Sequence, residues 1–157
     1  MTAQIKRKRA LVTGGAGFIG SHVADLFISN GYEVDILDDL SNGRRENLPQ
    51  AARFHQVSVA SPDAAAIVRQ GRFDVILHAA GQIDVRKSVA DPLNDATVNI
   101  LGTLNLLEAL HRSGAKARFV FTSTGGAIYG EFNTPPNIEN FPKDPESPYA
   151  VSKLSAE

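Results

Sequence analysis

The segment Thr13-Gly14-Gly15-Ala16-Gly17-Phe18-Ile19-Gly20 constrains this chain more than any other. Ala10-Leu11-Val12 precede it as a short apolar run, and Ile19, Val23, Leu26 and Phe27 follow at helical spacing. A strand that passes through a glycine turn into a helix forms a phosphate site. The glycines permit a tight turn and close backbone approach, and the helix N-terminus offers unpaired N–H groups and a positive dipole end. Gly14, Gly17, Phe18, Ile19 and Gly20 are therefore candidate cofactor contacts. A glycine turn alone is weakly specific and can be purely structural. Its weight comes from Asp38, which ends the second apolar run about 20 residues further on, where a carboxylate accepts hydrogen bonds from an adenosine ribose. That charge repels a 2′-phosphate and favours NAD over NADP. Asp39 is the alternative if Asp38 faces away. Arg44 and Arg45 are either exposed loop charges or phosphate partners.

Short apolar runs alternate with longer segments of helical period, which predicts a parallel sheet covered by helices. Strands are expected at 10–12, 33–37, 54–59, 74–77 and 118–122. Helices are expected at 18–30, from Ser61-Pro62 to near Gly71, at 91–111, and from Tyr149, where Ser147 is the N-cap and Pro148 occupies N1. On the 91–111 helix Leu93, Thr97, Ile100, Leu104, Leu107 and His111 form one stripe. Val98, Leu101 and Leu106 form a second, read either as deeper burial or as a subunit contact. Residues 125–148 are rich in Gly, Pro and Asn and read as a long loop of the kind that carries function. The fold class is α/β, a Rossmann-type doubly wound parallel sheet of five strands in the order 3-2-1-4-5. With 157 residues, 43% apolar, the chain has the size of one domain with a real core, taken here as 1–157.

A formal charge of −1 provides no global field toward nucleic acid or an anionic membrane. The absence of cysteine excludes disulfides, thiolate zinc sites and cysteine nucleophiles. No apolar run approaches the roughly 20 residues of a bilayer span. Lys6-Arg7-Lys8-Arg9 leads through Ala10 into glycines without an apolar h-region, so it reads as a solvated flank and the expected location is cytoplasmic. No His/Asp/Glu cluster has metal-ligand spacing.

Tyr149 and Lys153 stand i, i+4 at the start of the last helix, on one face. An ammonium and an oxidised nicotinamide both favour a phenolate, which makes Tyr149 a candidate base for a hydroxyl proton while hydride leaves the same carbon. The pair alone recurs by chance on many helices; its position after a nucleotide-binding half gives it meaning. Together with the glycine loop, Asp38-Asp39-Leu40-Ser41-Asn42-Gly43, His78-Ala79-Ala80-Gly81, Asn99 with 102–109, Thr122-Ser123-Thr124 leading to Tyr129-Gly130, and Ser147-Pro148-Tyr149-Ala150-Val151-Ser152-Lys153, it resembles a known family. The chain is similar throughout to the extended short-chain dehydrogenase/reductases, and within them to the NAD-dependent nucleotide-sugar epimerases of the UDP-glucose 4-epimerase type.

The resemblance implies that Tyr149 takes the sugar 4-hydroxyl proton, that Lys153 holds the cofactor ribose and supports the tyrosine, and that Thr124, or Ser123, hydrogen-bonds the same hydroxyl. Hydride passes to the nicotinamide and returns to the other face of the 4-keto sugar, a UDP-hexose. It also implies that Ala79, Ala80, Gly81 and Gln82 line the cofactor with Asn99 beneath it, and that Ser41, Asn42, Gly43, Ser58, Val59 and Thr122 belong to the same site. His78 matches a family position but reads as a strand-end residue rather than a proton carrier.

Three features depart from the family pattern. Ser58 stands where an acid often meets the adenine amino group, and one extra residue lies between Thr124 and Tyr129. The chain ends at Glu157, about two turns into the Tyr149 helix, whereas related enzymes continue for about as long again with a substrate domain. The resemblance therefore admits a second reading, a truncated NAD-binding module with little turnover. A sugar-nucleotide dehydratase is a third, but that family places Asp-Glu where Gly125 and Gly126 stand. Homodimerisation through the 91–111 and 147–157 helices is a further expectation.

Overall fold

The computed structural model describes residues 7–131 and 136–157. Lys6 of the basic flank and part of the long loop therefore lie outside the described residues. Five parallel strands, β1 (Arg9–Thr13), β2 (Glu33–Asp38), β3 (Arg53–Gln56), β4 (Val75–His78) and β5 (Arg118–Phe121), form one sheet in the order β3-β2-β1-β4-β5, as the sequence predicts. Period-two alternation builds a core on each face. Ala10, Val12, Val34 and Ile36 face one side, with Ala24 of α1 (Phe18–Ser29). Leu11, Leu37 and Ile76 face the other, with Val68 of α2 (Pro62–Gly71) and Leu106 of α5 (Gly102–Ser113). At the N-terminal end of the strands the buried Asp35 is held by Arg9 and His55, each at 2.8 Å.

The remaining elements differ in places from the expectation. β3 stops at Gln56 rather than continuing to Val59, because Ser58 and Ser61 turn the chain into α2, where Ser61 caps Ala64 N at 3.2 Å. A short helix α3 (Val85–Ala90), capped by the Asp84 carboxylate on Arg86 N and Lys87 N, is not among the expected elements. The predicted 91–111 helix is α4 (Pro92–Ala96), a π-helical turn at Thr97–Leu101, and α5 in one run. α6 (Pro148–Ala156) starts as predicted, with Ser147 Oγ accepting from Ala150 N at 3.1 Å.

The predicted stripe of the long helix faces the wrong way. Leu93 is 81% exposed and Leu104 55%, whereas Asp95, Asn99, Thr103, Leu106 and Ala109 are buried. The inward face is polar because Asp95 Oδ1, Asn99 and Thr103 find buried hydrogen-bond partners, although Asp95 Oδ2 has none, and narrow because Gly102 lets the helix close on Val59. Of the second set, Leu106 is buried, Val98 packs against the core and Leu101 is exposed. α1 shows the same effect on a smaller scale. Ile19 and Leu26 point outward, and Gly20, Ser21 and Ala24 make the contact, flanked by Val23 and Phe27.

Candidate functional site

Because all strands are parallel, the C-terminal ends of β1, β2, β4 and β5 open on one side, where ligands bind in sheets of this kind. A cavity of about 480 Å³ lies there. Its walls are the glycine loop (Gly14, Gly17, Phe18, Ile19, Gly20), the segment after β2 (Asp38, Asp39, Ser41, Asn42, Gly43) and the segment after β4 (Ala79, Ala80, Gly81, Gln82), with Val59. Gly14 sits at φ +71, and a Cβ there would lie 2.6 Å from Ala80 N. A Cβ on Gly20 would fall onto the Gly14 carbonyl. The loop thus presents bare backbone and the N-terminus of α1 to the cavity.

The Asp38 carboxylate is turned toward this loop, accepting Ala16 N at 3.0 Å and Leu40 N at 2.8 Å. The second bond holds Leu40 at φ +63, a conformation non-glycine residues avoid. Each oxygen keeps a lone pair for a ribose hydroxyl. Asp39 is exposed and accepts Ser41 N at 2.9 Å. Arg45 bonds Gln56 Oε1 at 2.8 Å and stacks on Phe54, and neither it nor Arg44 lines the cavity. Ser58 does not line it either; its neighbours Val57 and Val59 do. Lys87, which sequence patterning missed together with α3, is also among the lining residues, as is Asn94. Bare glycine backbone, a carboxylate with free lone pairs and a nearby ammonium fit a dinucleotide.

Behind the segment after β4 lies a buried polar network. Asn99 Oδ1 accepts Gln82 N at 2.9 Å while Asn99 Nδ2 lies 3.0 Å from Gln82 O, 3.2 Å from Asp95 Oδ1 and 3.1 Å from Ser152 Oγ. Gln82 Nε2 also donates to Asp95 Oδ1 at 2.9 Å. Asn99 is thereby committed to holding Gln82 and α6. Asp95 has no signature in the sequence beyond its i−4 relation to Asn99. His78 is buried between Thr13 and Thr103. Burial, reinforced by the Lys153 cation, pushes its pKa from 6.5 down to about 3, so it is neutral.

Tyr149, Lys153, Ser123, Thr124 and Thr122 are gathered at the end of β5 and on α6, outside the lining of this open cavity. Lys153 Nζ donates to Thr122 O at 2.6 Å and lies 4.1 Å from the centre of the Phe121 ring. Burial lowers its pKa to about 8 against the raising effect of Glu157 and Asp95, so it remains cationic at pH 7. Tyr149 is half-buried, and its backbone N–H donates to Ser88 Oγ at 3.1 Å, fixing the start of α6 against α3. Ser123 Oγ is engaged by the Glu157 carboxylate, whereas Thr124 is half-buried at the same strand end.

Comparison with known proteins extends this picture. A family model described as the NAD dependent epimerase/dehydratase family matches residues 10–157. UDP-glucose 4-epimerase of Mycolicibacterium smegmatis is 43% identical over 154 residues, which cover 95% of this chain and 49% of that protein. The crystal structure of Thermus thermophilus UDP-glucose 4-epimerase in complex with NAD superposes with a TM-score of 0.87 at 45% identity, covering 94% of this chain and 48% of that one. The Thermotoga maritima UDP-glucose 4-epimerase structure with UDP-glucose gives 0.87 at 43% identity, with the same coverage. The chain spans about half the length of the curated relatives it matches. Among the described residues no helix is long and apolar enough to cross a membrane.

Proposed function

Since the chain belongs to the NAD-dependent epimerase/dehydratase family, we propose that it is the NAD-binding and proton-transferring half of a nucleotide-sugar 4-epimerase acting on UDP-glucose and UDP-galactose. The observation that carries this reading is the cationic Lys153, seated on the Thr122 carbonyl one helical turn from Tyr149, at the same C-terminal end of the sheet as the cavity walled by the glycine loop and Asp38. NAD, when bound, supplies the hydride acceptor. Gly14, Gly17 and the start of α1 would hold its pyrophosphate, and Asp38 its adenosine ribose.

The rest is done by side chains. Tyr149 removes the sugar 4-hydroxyl proton as a positioned general base. Lys153 is its partner and would hold the cofactor ribose. Thr124 orients the same hydroxyl; Ser123 is the alternative and must first leave Glu157. A UDP-hexose is the substrate class. The exposed Leu93, Leu101, Leu104 and Leu107 form a face suited to a second copy of the chain, with α6 beside it.

A second reading, an NAD-binding module with little turnover, is favoured by the absence of Tyr149 and Lys153 from the residues that line the cavity. Calorimetry with NAD and a UDP-glucose/UDP-galactose conversion assay separate the two. NAD binding with conversion that disappears in Y149F supports the epimerase. Binding without conversion supports the module, and no binding overturns both.

A further inference from the structure

His78 is fully buried at the C-terminal end of β4, beside the rings of Phe119 and Phe121, and the proposed proton transfers do not use it. Its partners admit one protonation state. Thr103 Oγ1 donates to the Asn99 carbonyl at 2.6 Å, so its hydrogen is committed and it accepts from His78 Nε2 at 2.9 Å. A proton on Nδ1 alone would set two acceptors against each other there, so Nε2 carries it. On the other side Thr13 Oγ1 accepts Ala80 N at 3.2 Å and lies 2.7 Å from Nδ1. A second proton on Nδ1 would leave the Thr13 hydroxyl hydrogen buried without an acceptor among the described residues. With Nδ1 bare, each group in this hydrogen-bonded series from Ala80 N to the Asn99 carbonyl is satisfied.

The chain has a direction and two ends. It runs from Ala80 N–H through the Thr13 hydroxyl to Nδ1, and from Nε2–H through the Thr103 hydroxyl to the Asn99 carbonyl. Thr13 leads into Gly14, which lies against Ala79 and Ala80 so closely that a Cβ would not fit. Asn99 holds both backbone polar groups of Gln82. We propose that His78 is a positioning residue for the dinucleotide, a neutral Nε2–H imidazole that sets the spacing between the glycine-loop wall and the Gln82 wall of the cavity.

The groups around the imidazole agree with this. β1 brings Thr13, the long helix Thr103 and Asn99, β5 two phenyl rings, and α6 the Lys153 cation, which opposes a second positive charge. The functional part rests on the reading that the cavity takes NAD, so the test has two arms. In ¹⁵N-histidine-labelled chain, assigned with H78Q, His78 is expected to show the Nε2–H neutral tautomer unchanged from pH 5 to 8. Protonation in that range, or the Nδ1–H form, overturns the proposal.

In the second arm, T103V removes the acceptor of Nε2–H. We expect a folded chain with an altered His78 signal and NAD affinity weakened roughly tenfold, about the effect of one lost hydrogen bond. T103S restores both. An altered signal with unchanged affinity overturns the positioning role. If T103V does not fold, T103S decides, since loss of either tautomer or affinity there also overturns it. No NAD binding by the unsubstituted chain defeats the cavity reading and the role together, while the tautomer still stands or falls on the first arm.

Discussion

Alanine substitutions at Gly14, Gly31 and Gly17 separate the backbone requirement of the glycine loop from its steric and ligand-binding requirements. Gly31 sits at φ +81 with nothing within 4 Å of a built Cβ, so G31A reports only the left-handed backbone, about 1–2 kcal/mol. Gly14 has a similar φ of +71, but its Cβ would meet Ala80 N at 2.6 Å, Ala79 C at 2.7 Å and Ala80 Cα at 2.8 Å. Those atoms are backbone, tied to β1 by the bond from Ala79 N to Thr13 O at 3.1 Å, and cannot swing aside. Overpacking of this kind adds about 1–3 kcal/mol, which takes G14A to roughly 2–5 kcal/mol, a large share of the about 5–15 kcal/mol typical of a domain. Gly17 has φ −82 and only the Gly14 carbonyl near its Cβ, at 3.2 Å. G17A should therefore change stability by less than about 1 kcal/mol. Its methyl group fills cavity space and should weaken NAD binding. Urea unfolding followed by circular dichroism measures the first quantity and calorimetry the second. A G14A chain no less stable than G31A would refute the steric argument, and a G17A chain that binds NAD like the original would refute the placement of the dinucleotide.

Other consequences follow from single groups. With His78 at about 3 in the folded chain and 6.5 unfolded, the unfolded chain takes up a proton first as pH falls, so stability is full above pH 6.5 and declines toward pH 3. The slope is about 1.4 kcal/mol per pH unit; between pH 7 and 5 the original chain should lose about 2 kcal/mol more than H78Q in urea titrations, and equal losses would contradict the assignment. D95L strips buried acceptors from Gln82 Nε2 and Asn99 Nδ2 and should cost about 2–4 kcal/mol by the same assay. A loss under about 0.5 kcal/mol would mean that the network is dispensable. Light scattering at high micromolar concentration should show a dimer that L104E converts to a monomer; a monomeric original chain would count against the leucine face as a contact.

The parallel sheet, its strand order and the glycine loop with Asp38 were legible because each rests on local spacing that the backbone must obey. So was the start of α6, where Ser147 and Pro148 act within one turn. The long helix reads on its wrong face because apolar content alone marks Leu93, Leu104 and Leu107 as interior. Asp95, Asn99 and Thr103 are interior instead, since partners distant in sequence, Gln82, Ser152 and His78, bond to them, Asp95 through Oδ1 alone. Periodicity cannot register such compensation.

From its sequence alone this chain is an α/β dinucleotide fold with a Tyr149-Lys153 pair in place, because turn geometry, helix capping and side-chain period are short-range properties. Tertiary structure decided which polar groups could be buried. It thereby made His78 neutral, seated Lys153 on the Thr122 carbonyl, and turned the leucines of the long helix outward. Desolvation and hydrogen-bond satisfaction depend on neighbours that only folding brings together.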